Sequence, residues 1–108
     1  MGRYITTTGT ASPVTRIIST TYTAEASDRL LVDTTGGAFT ITLPSTPIEG
    51  DQIQFIDVEG NFETANLTVA RNGNLINGDA SNLTADVNGA IITLLYTGAT
   101  YGWVITST

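Results

Sequence analysis

The chain has no cysteine, no histidine and no lysine among its 108 residues. Without cysteine there is no disulfide, no thiolate nucleophile and no zinc–thiolate site. Without histidine or lysine, imidazole proton transfer, imidazole metal ligation and Schiff-base chemistry are excluded. Any catalysis would rest on carboxylates, hydroxyls and backbone groups alone, so composition points away from an enzyme. Positive charge is scarce as well: four basic residues, all arginine, stand against ten acids, for a formal net charge of -6. Binding to phosphate backbones needs clustered cations to displace counterions, so no nucleic-acid partner is expected. Nor does any stretch approach the roughly 20 apolar residues of a membrane-spanning helix. The opening Met1-Gly2-Arg3-Tyr4-Ile5-Thr6-Thr7-Thr8 lacks the apolar segment of a secretory signal. The expectation is a protein made in the cytoplasm, without a membrane partner and without a cofactor or bound metal.

Charge is distributed unevenly. Residues 1–29 carry Arg3, Arg16 and Arg29 against Glu25 and Asp28, whereas residues 30–108 carry Arg71 against eight acids. Residues 1–13 are rich in Thr, Gly and Ser and show no apolar period, so they cannot bury a face of their own. They read as an N-terminal arm that orders against a partner, leaving residues 14–108 as a single domain.

From residue 14 onward, short runs of β-branched and aromatic residues alternate with turn chemistry, the pattern of many short strands. The clearest run is Phe39-Thr40-Ile41-Thr42-Leu43, whose strict alternation places Phe39, Ile41 and Leu43 on one face. Pro44 ends it and Gly36-Gly37 precede it. Further strands are predicted over 14–19, 29–33, 52–57, 67–70, 90–96 and 103–106. The run over 90–96 is apolar on both parities and is expected to be central and covered on both faces. Asn72-Gly73, Asn77-Gly78 and Asn88-Gly89 supply turns, and the last two strands read as a terminal hairpin. Seven or eight strands at this spacing predict an all-β domain, an antiparallel β-sandwich or jelly roll with an extended arm. Threonine fills 21 positions, which suits exposed strand faces.

Few constellations invite chemistry. Asp57-Val58-Glu59-Gly60-Asn61, with Glu63 beyond, loosely matches a calcium loop, but the ligand spacing of an EF-hand is missing and a solvated acidic turn is the better reading. Pairs such as Glu49 with Asp51, or Asp79 with Asp86, arise readily among ten acids and do not specify a glycosidase. The glycines of the segment from Arg71 to Gly78 suit turns, since the lysine and helix of a phosphate loop are absent. Tyr96 and Trp103 flank the hairpin and read as core, whereas Tyr101 in its turn reads as an exposed anchor. Tyr101 with Asn72, Asn74 and Asn77 is the candidate exposed tip.

The run from Tyr22 through Asp28-Arg29-Leu30-Leu31-Val32-Asp33 to Gly36-Gly37-Ala38-Phe39-Thr40-Ile41-Thr42-Leu43-Pro44 resembles a module of tailed-bacteriophage structural proteins, especially tail fibres and small head proteins. The resemblance continues through Gly50-Asp51, Leu67-Thr68-Val69-Ala70-Arg71-Asn72-Gly73, Ile76-Asn77-Gly78 and Leu94-Leu95-Tyr96-Thr97-Gly98 to Trp103, covering roughly residues 20 to 106. It carries no active site. It implies a virion component, β-rich and commonly a homotrimer. A long fibre needs a stalk, and neither heptads nor extended repeats occur here. The expected function is therefore that of a capsid decoration or cement protein on the outer surface of the head. Such a protein is expected to bind the major capsid protein and to stabilise the shell by non-covalent contacts. In that expectation Gly2, Arg3, Tyr4, Ile5, Thr6, Thr7 and Thr8 form the capsid-binding arm. The alternative is a receptor-binding tail module, partnered by tail proteins, that presents the Tyr101 tip to a host glycan or protein.

Overall fold

The computed structural model describes residues 12–107, and the candidate arm residues Gly2 to Thr8 lie outside them. Among the described residues there are nine strands and no helix: β1 (Val14–Ile18), β2 (Tyr22–Thr23), β3 (Asp28–Val32), β4 (Phe39–Thr42), β5 (Gln52–Asp57), β6 (Leu67–Ala70), β7 (Leu83–Ala85), β8 (Ile91–Tyr96) and β9 (Trp103–Ser107). They form two sheets. The first has the order β1-β3-β5-β8-β9 and the second the order β2-β4-β6-β7.

The first six strands alternate between the sheets, so that consecutive strands are never hydrogen-bonded neighbours. Each strand pairs instead with the one two places later, and those pairings are parallel: β1 with β3, β3 with β5, β2 with β4 and β4 with β6. The chain thus winds around one core, using a strand of the opposite sheet as the crossover that parallel neighbours require. Only β5–β8, β6–β7 and β8–β9 are antiparallel. Three antiparallel pairings out of seven make both sheets mixed, where antiparallel sheets were expected. The physical reason lies in the crossovers: each of the first five strands is followed by one in the opposite sheet, so the chain returns to its own sheet running the same way.

The period-2 patterns explain which side chains meet. Along β3, Leu30 and Val32 point inward; along β5, Ile53 and Phe55; along β4, Ile41, with Leu43 just beyond; along β6, Leu67 and Val69. All are fully buried and belong to one cluster that also takes in Ile92, Leu94, Tyr96 and Trp103. Burying each large aliphatic or aromatic side chain contributes about 1.5–3 kcal/mol, so this shared core holds the two sheets together. Trp103 and Tyr96 pack tilted, with ring centroids 5.3 Å apart. Both are core residues, as their sequence context suggests.

Seven of the nine strands fall where the sequence places them, and the alternation of Phe39, Ile41 and Leu43 is obeyed. The two-residue β2 and three-residue β7 add to the expected seven or eight. A second expectation is overturned: β8 does lie inside its sheet, but it is covered on one face only. Ile92, Leu94 and Tyr96 are buried, whereas Ile91 is 44% exposed on the other side. Its double apolar parity therefore reflects an apolar outer face and not burial between layers.

One backbone crossing fixes the terminal hairpin to the body. Trp103 donates its N–H to the Leu75 carbonyl at 2.8 Å, and Asn77 donates to the Trp103 carbonyl at 2.7 Å. Gly102, just before, has φ +73°, and a Cβ there would stand 2.0 Å from the Leu75 carbonyl oxygen. Gly102→Ala is expected to cost about 3 kcal/mol or more, from backbone strain and overpacking together. Gly36→Ala, where a Cβ meets nothing within 4 Å, is the matched control and is expected to stay within about 0.5 kcal/mol. Urea unfolding of the two variants measures the difference.

Candidate functional site

Three places concentrate polar groups. The first is built around Asp28 at the start of β3, 2% exposed. Arg16 of β1 donates its Nε–H to Asp28 Oδ1 at 2.9 Å, Tyr22 of β2 donates its hydroxyl to Oδ2 at 2.9 Å, and the Glu25 backbone N–H donates to Oδ2 at 2.8 Å. One carboxylate therefore ties together the first two strands and the link to the third. Burial, reinforced by the bond to Asp28, pushes the Tyr22 phenol up to about 12. The bond that Arg16 itself makes to Asp28 raises its guanidinium further.

The second place is Asp57 at the end of β5, 5% exposed. Its Oδ1 accepts from the Asn61 N–H at 3.1 Å, and its Oδ2 accepts from Phe62 and Gly89, both at 3.0 Å. Burial raises the Asp57 carboxyl, but the backbone N–H groups of Gly89, Phe62, Asn61 and Gly60 outweigh it and hold the acid below its usual range. Asn61 then donates to the carbonyl of the buried Thr34 at 3.1 Å, extending the lock to the loop after β3. The segment that loosely matched a calcium loop is thus organised around an inward carboxylate that binds N–H donors. No group of three metal-ligating side chains occurs among the described residues.

The third place is the outer face of the first sheet, where register lines up two rows. Thr15, Arg29, Gln54, Thr93 and Ser107 are consecutive cross-strand partners. Arg29 Nε donates to Gln54 Oε1 at 3.2 Å, Gln54 Nε2 to Thr93 Oγ1 at 3.1 Å, and Ser107 Oγ to Thr93 Oγ1 at 2.8 Å. Beside this ladder lies a groove of about 270 Å³, lined by Pro13, Ser27, Arg29, Asp51, Gln52 and Gln54 among others. The second row, Ile17, Leu31, Ile56 and Ile91, is apolar. A cleft of about 260 Å³ lies elsewhere, lined by Leu83, Ala85, Val87, Ile92 and Ile105. The rows escaped sequence reasoning because their members come from separate strands and meet only through register.

The candidate tip residues are placed as follows. Tyr101 is 62% exposed. Asn72 and Asn74 turn their amides to the loop after β4: Asn72 donates to the Leu43 carbonyl at 2.9 Å, and Asn74 donates to those of Pro44 and Ser45. Asn77 instead accepts the Ile105 N–H at 3.1 Å. The asparagines therefore serve two different internal contacts, and only Asn77 lies on the segment beside Tyr101, whose carbonyl accepts the Gly78 N–H at 2.9 Å. Arg71 Nη1 donates to the Asn74 carbonyl at 3.0 Å, closing its turn upon itself. No protein-family model matches the chain, and no curated protein matches it.

Two measurements check the carboxylate locks. The folded-state pKa of Asp57 lies below the unfolded value of about 3.9, so its contribution is present above that pH and is lost as pH falls through the folded value. Asp57→Asn is expected to cost about 1–3 kcal/mol at neutral pH, since its amide faces N–H donors. The stability difference from the parent should shrink below about pH 4, followed by urea unfolding across pH. For Tyr22 the shift is upward, so its contribution is present below the usual tyrosine value of about 10 and disappears as pH rises through about 12. Absorbance titration of the parent should show a tyrosine ionising there, absent from Tyr22→Phe.

Proposed function

We propose that the protein is a bacteriophage virion structural component, a capsid decoration or cement protein that binds the head shell and stabilises it without covalent bonds. In this reading the two sheets form a β-sandwich body, and Gly2 to Thr8, with Arg3 as the cation, reach neighbouring shell subunits by strand addition and charge. The observation that carries the proposal is the resemblance of residues 20 to 106 to phage head and fibre modules. Its support from the body is chemical. The two carboxylates most deeply buried, Asp28 and Asp57, are occupied in holding strands and turns. That arrangement suits a scaffold whose role is to be held in place.

The second reading, a receptor-binding module on the tail, is favoured by the exposure of Tyr101 at the hairpin turn. An amphipathic aromatic in that position suits stacking on a sugar ring or a protein surface.

Removing residues 1–12 is expected to abolish co-sedimentation with expanded phage shells while leaving the unfolding midpoint of the body unchanged. Undiminished shell binding overturns the role of the arm. Binding of the full chain to a glycan array or to host cells, lost in Tyr101→Ala and without any affinity for shells, selects the tail module instead.

A further inference from the structure

The two edges of the first sheet are treated differently. At β9 the edge is covered from Trp103 to Ile105. Leu75 and Asn77 exchange backbone bonds with Trp103, Ile76 bridges to Trp103, and the Asn77 side chain takes the Ile105 N–H. At β1, five residues long, no strand pairs with the outer side among the described residues. Residues in a parallel ladder alternate in the direction of their backbone groups. The Val14 N–H bonds Ser27 and the Ile18 carbonyl accepts from Asp33, so Val14, Arg16 and Ile18 face β3. Thr15 and Ile17 therefore point their N–H and C=O groups outward. Natural sheets protect such an edge with lysine, an inward-pointing charge, proline, a bulge or a very short strand. The edges of the second sheet are short, two residues in β2 and three in β7. Within β1 the one such protection is the charge of Arg16, on the face of the buried Leu30. That charge is drawn to Asp28 and Glu25, and Ile17 is 75% exposed with Val14 at 46%.

We propose that β1 is a pairing edge whose occupant is β1 of a second copy of this chain, joined antiparallel about a twofold axis into one continuous sheet. Three observations favour a second copy. A ring built by strand pairing would need a different open edge to receive β1, and the other long edge of the same sheet is covered from Trp103 to Ile105. A twofold contact needs only the edge that both copies already share. Electrostatics agree: over residues 14–29, Arg16 and Arg29 balance Glu25 and Asp28, whereas the rest of the body is strongly acidic. Two copies therefore meet where their mutual repulsion is smallest. The contact also covers Ile17 and extends the outer row of Leu31, Ile56 and Ile91 beyond its end. This pairing departs from the homotrimer that the resemblance implies, and it is independent of any shell.

The test reads mass and backbone protection on the full chain. Sedimentation equilibrium over a concentration series is expected to show a reversible, twofold rise in mass. Amide exchange at Thr15 and Ile17 should slow over the same range. Ile17→Pro removes an outward N–H without touching the β3 ladder, a substitution edge strands accommodate, and should be monomeric with an unchanged unfolding midpoint. Ile17→Lys, which adds an edge charge and keeps the backbone, should be monomeric too and decides the matter if the proline variant fails to fold. A monomer at every concentration overturns the proposal. Slow amides at Thr15 and Ile17 in that monomer would mean the chain's own N-terminal residues occupy the edge. A mass of three chains, or a dimer that survives in the folded variants, also overturns it.

Discussion

Everything in this fold depends on closing parallel ladders without helices. Parallel neighbours cannot be joined by a tight turn, and most β proteins avoid the difficulty by pairing antiparallel or by inserting a helix as the crossover. Here the crossover is a strand of the opposite sheet, so each turn of the chain builds both layers at once and buries their facing side chains against each other. The links between layers are consequently under load: they must place a strand in register with a partner met one turn earlier. Asp28 and Asp57 stand at two of these links, at the start of β3 and the end of β5, and each gathers donors from several segments.

That division of labour also accounts for the acids. Buried carboxylates are costly unless satisfied by hydrogen bonds. Asp57 is satisfied by backbone N–H groups, and Asp28 by a guanidinium, a phenol and one backbone N–H. In both, the charge organises loops for which the chain has no disulfide. The hydroxyl-rich composition follows similar logic on the outside, where Thr93 joins Gln54 and Ser107 in a ladder that needs little formal charge.

The strands were largely legible and their neighbours were not. Phe39-Thr40-Ile41-Thr42-Leu43 declares its own two faces, because side-chain direction is a local property of an extended backbone. The pairing of Ile41 with Val69 and with Tyr22 is non-local and leaves no mark in either segment. The short β2 and β7 fall below the length at which alternation can be recognised. In β8, Ile91 and Leu95 imitate burial on a second face because isoleucine and leucine read alike whether covered or bare. The polar centres show the same limit. Asp57 attracts notice beside Glu59 and Asn61, yet the Gly89 N–H that completes its shell lies 32 residues away. The arm, singled out by composition, falls outside the described residues.

The turns of the winding are unequal. Val14 lies opposite Asp28 in the first sheet, a step of 14 residues, whereas Arg29 lies opposite Gln54, a step of 25. In the second sheet the steps are 19 residues from Tyr22 to Ile41 and 28 from Ile41 to Val69. The extra length sits in the links and leaves the ladders intact. Because closure entropy grows only with the logarithm of loop length, each doubling of a link costs about 0.6 kcal/mol. Such an architecture can accept grafted segments between its layers while the stacked rows stay in place, which makes the links the natural sites for variation among related molecules.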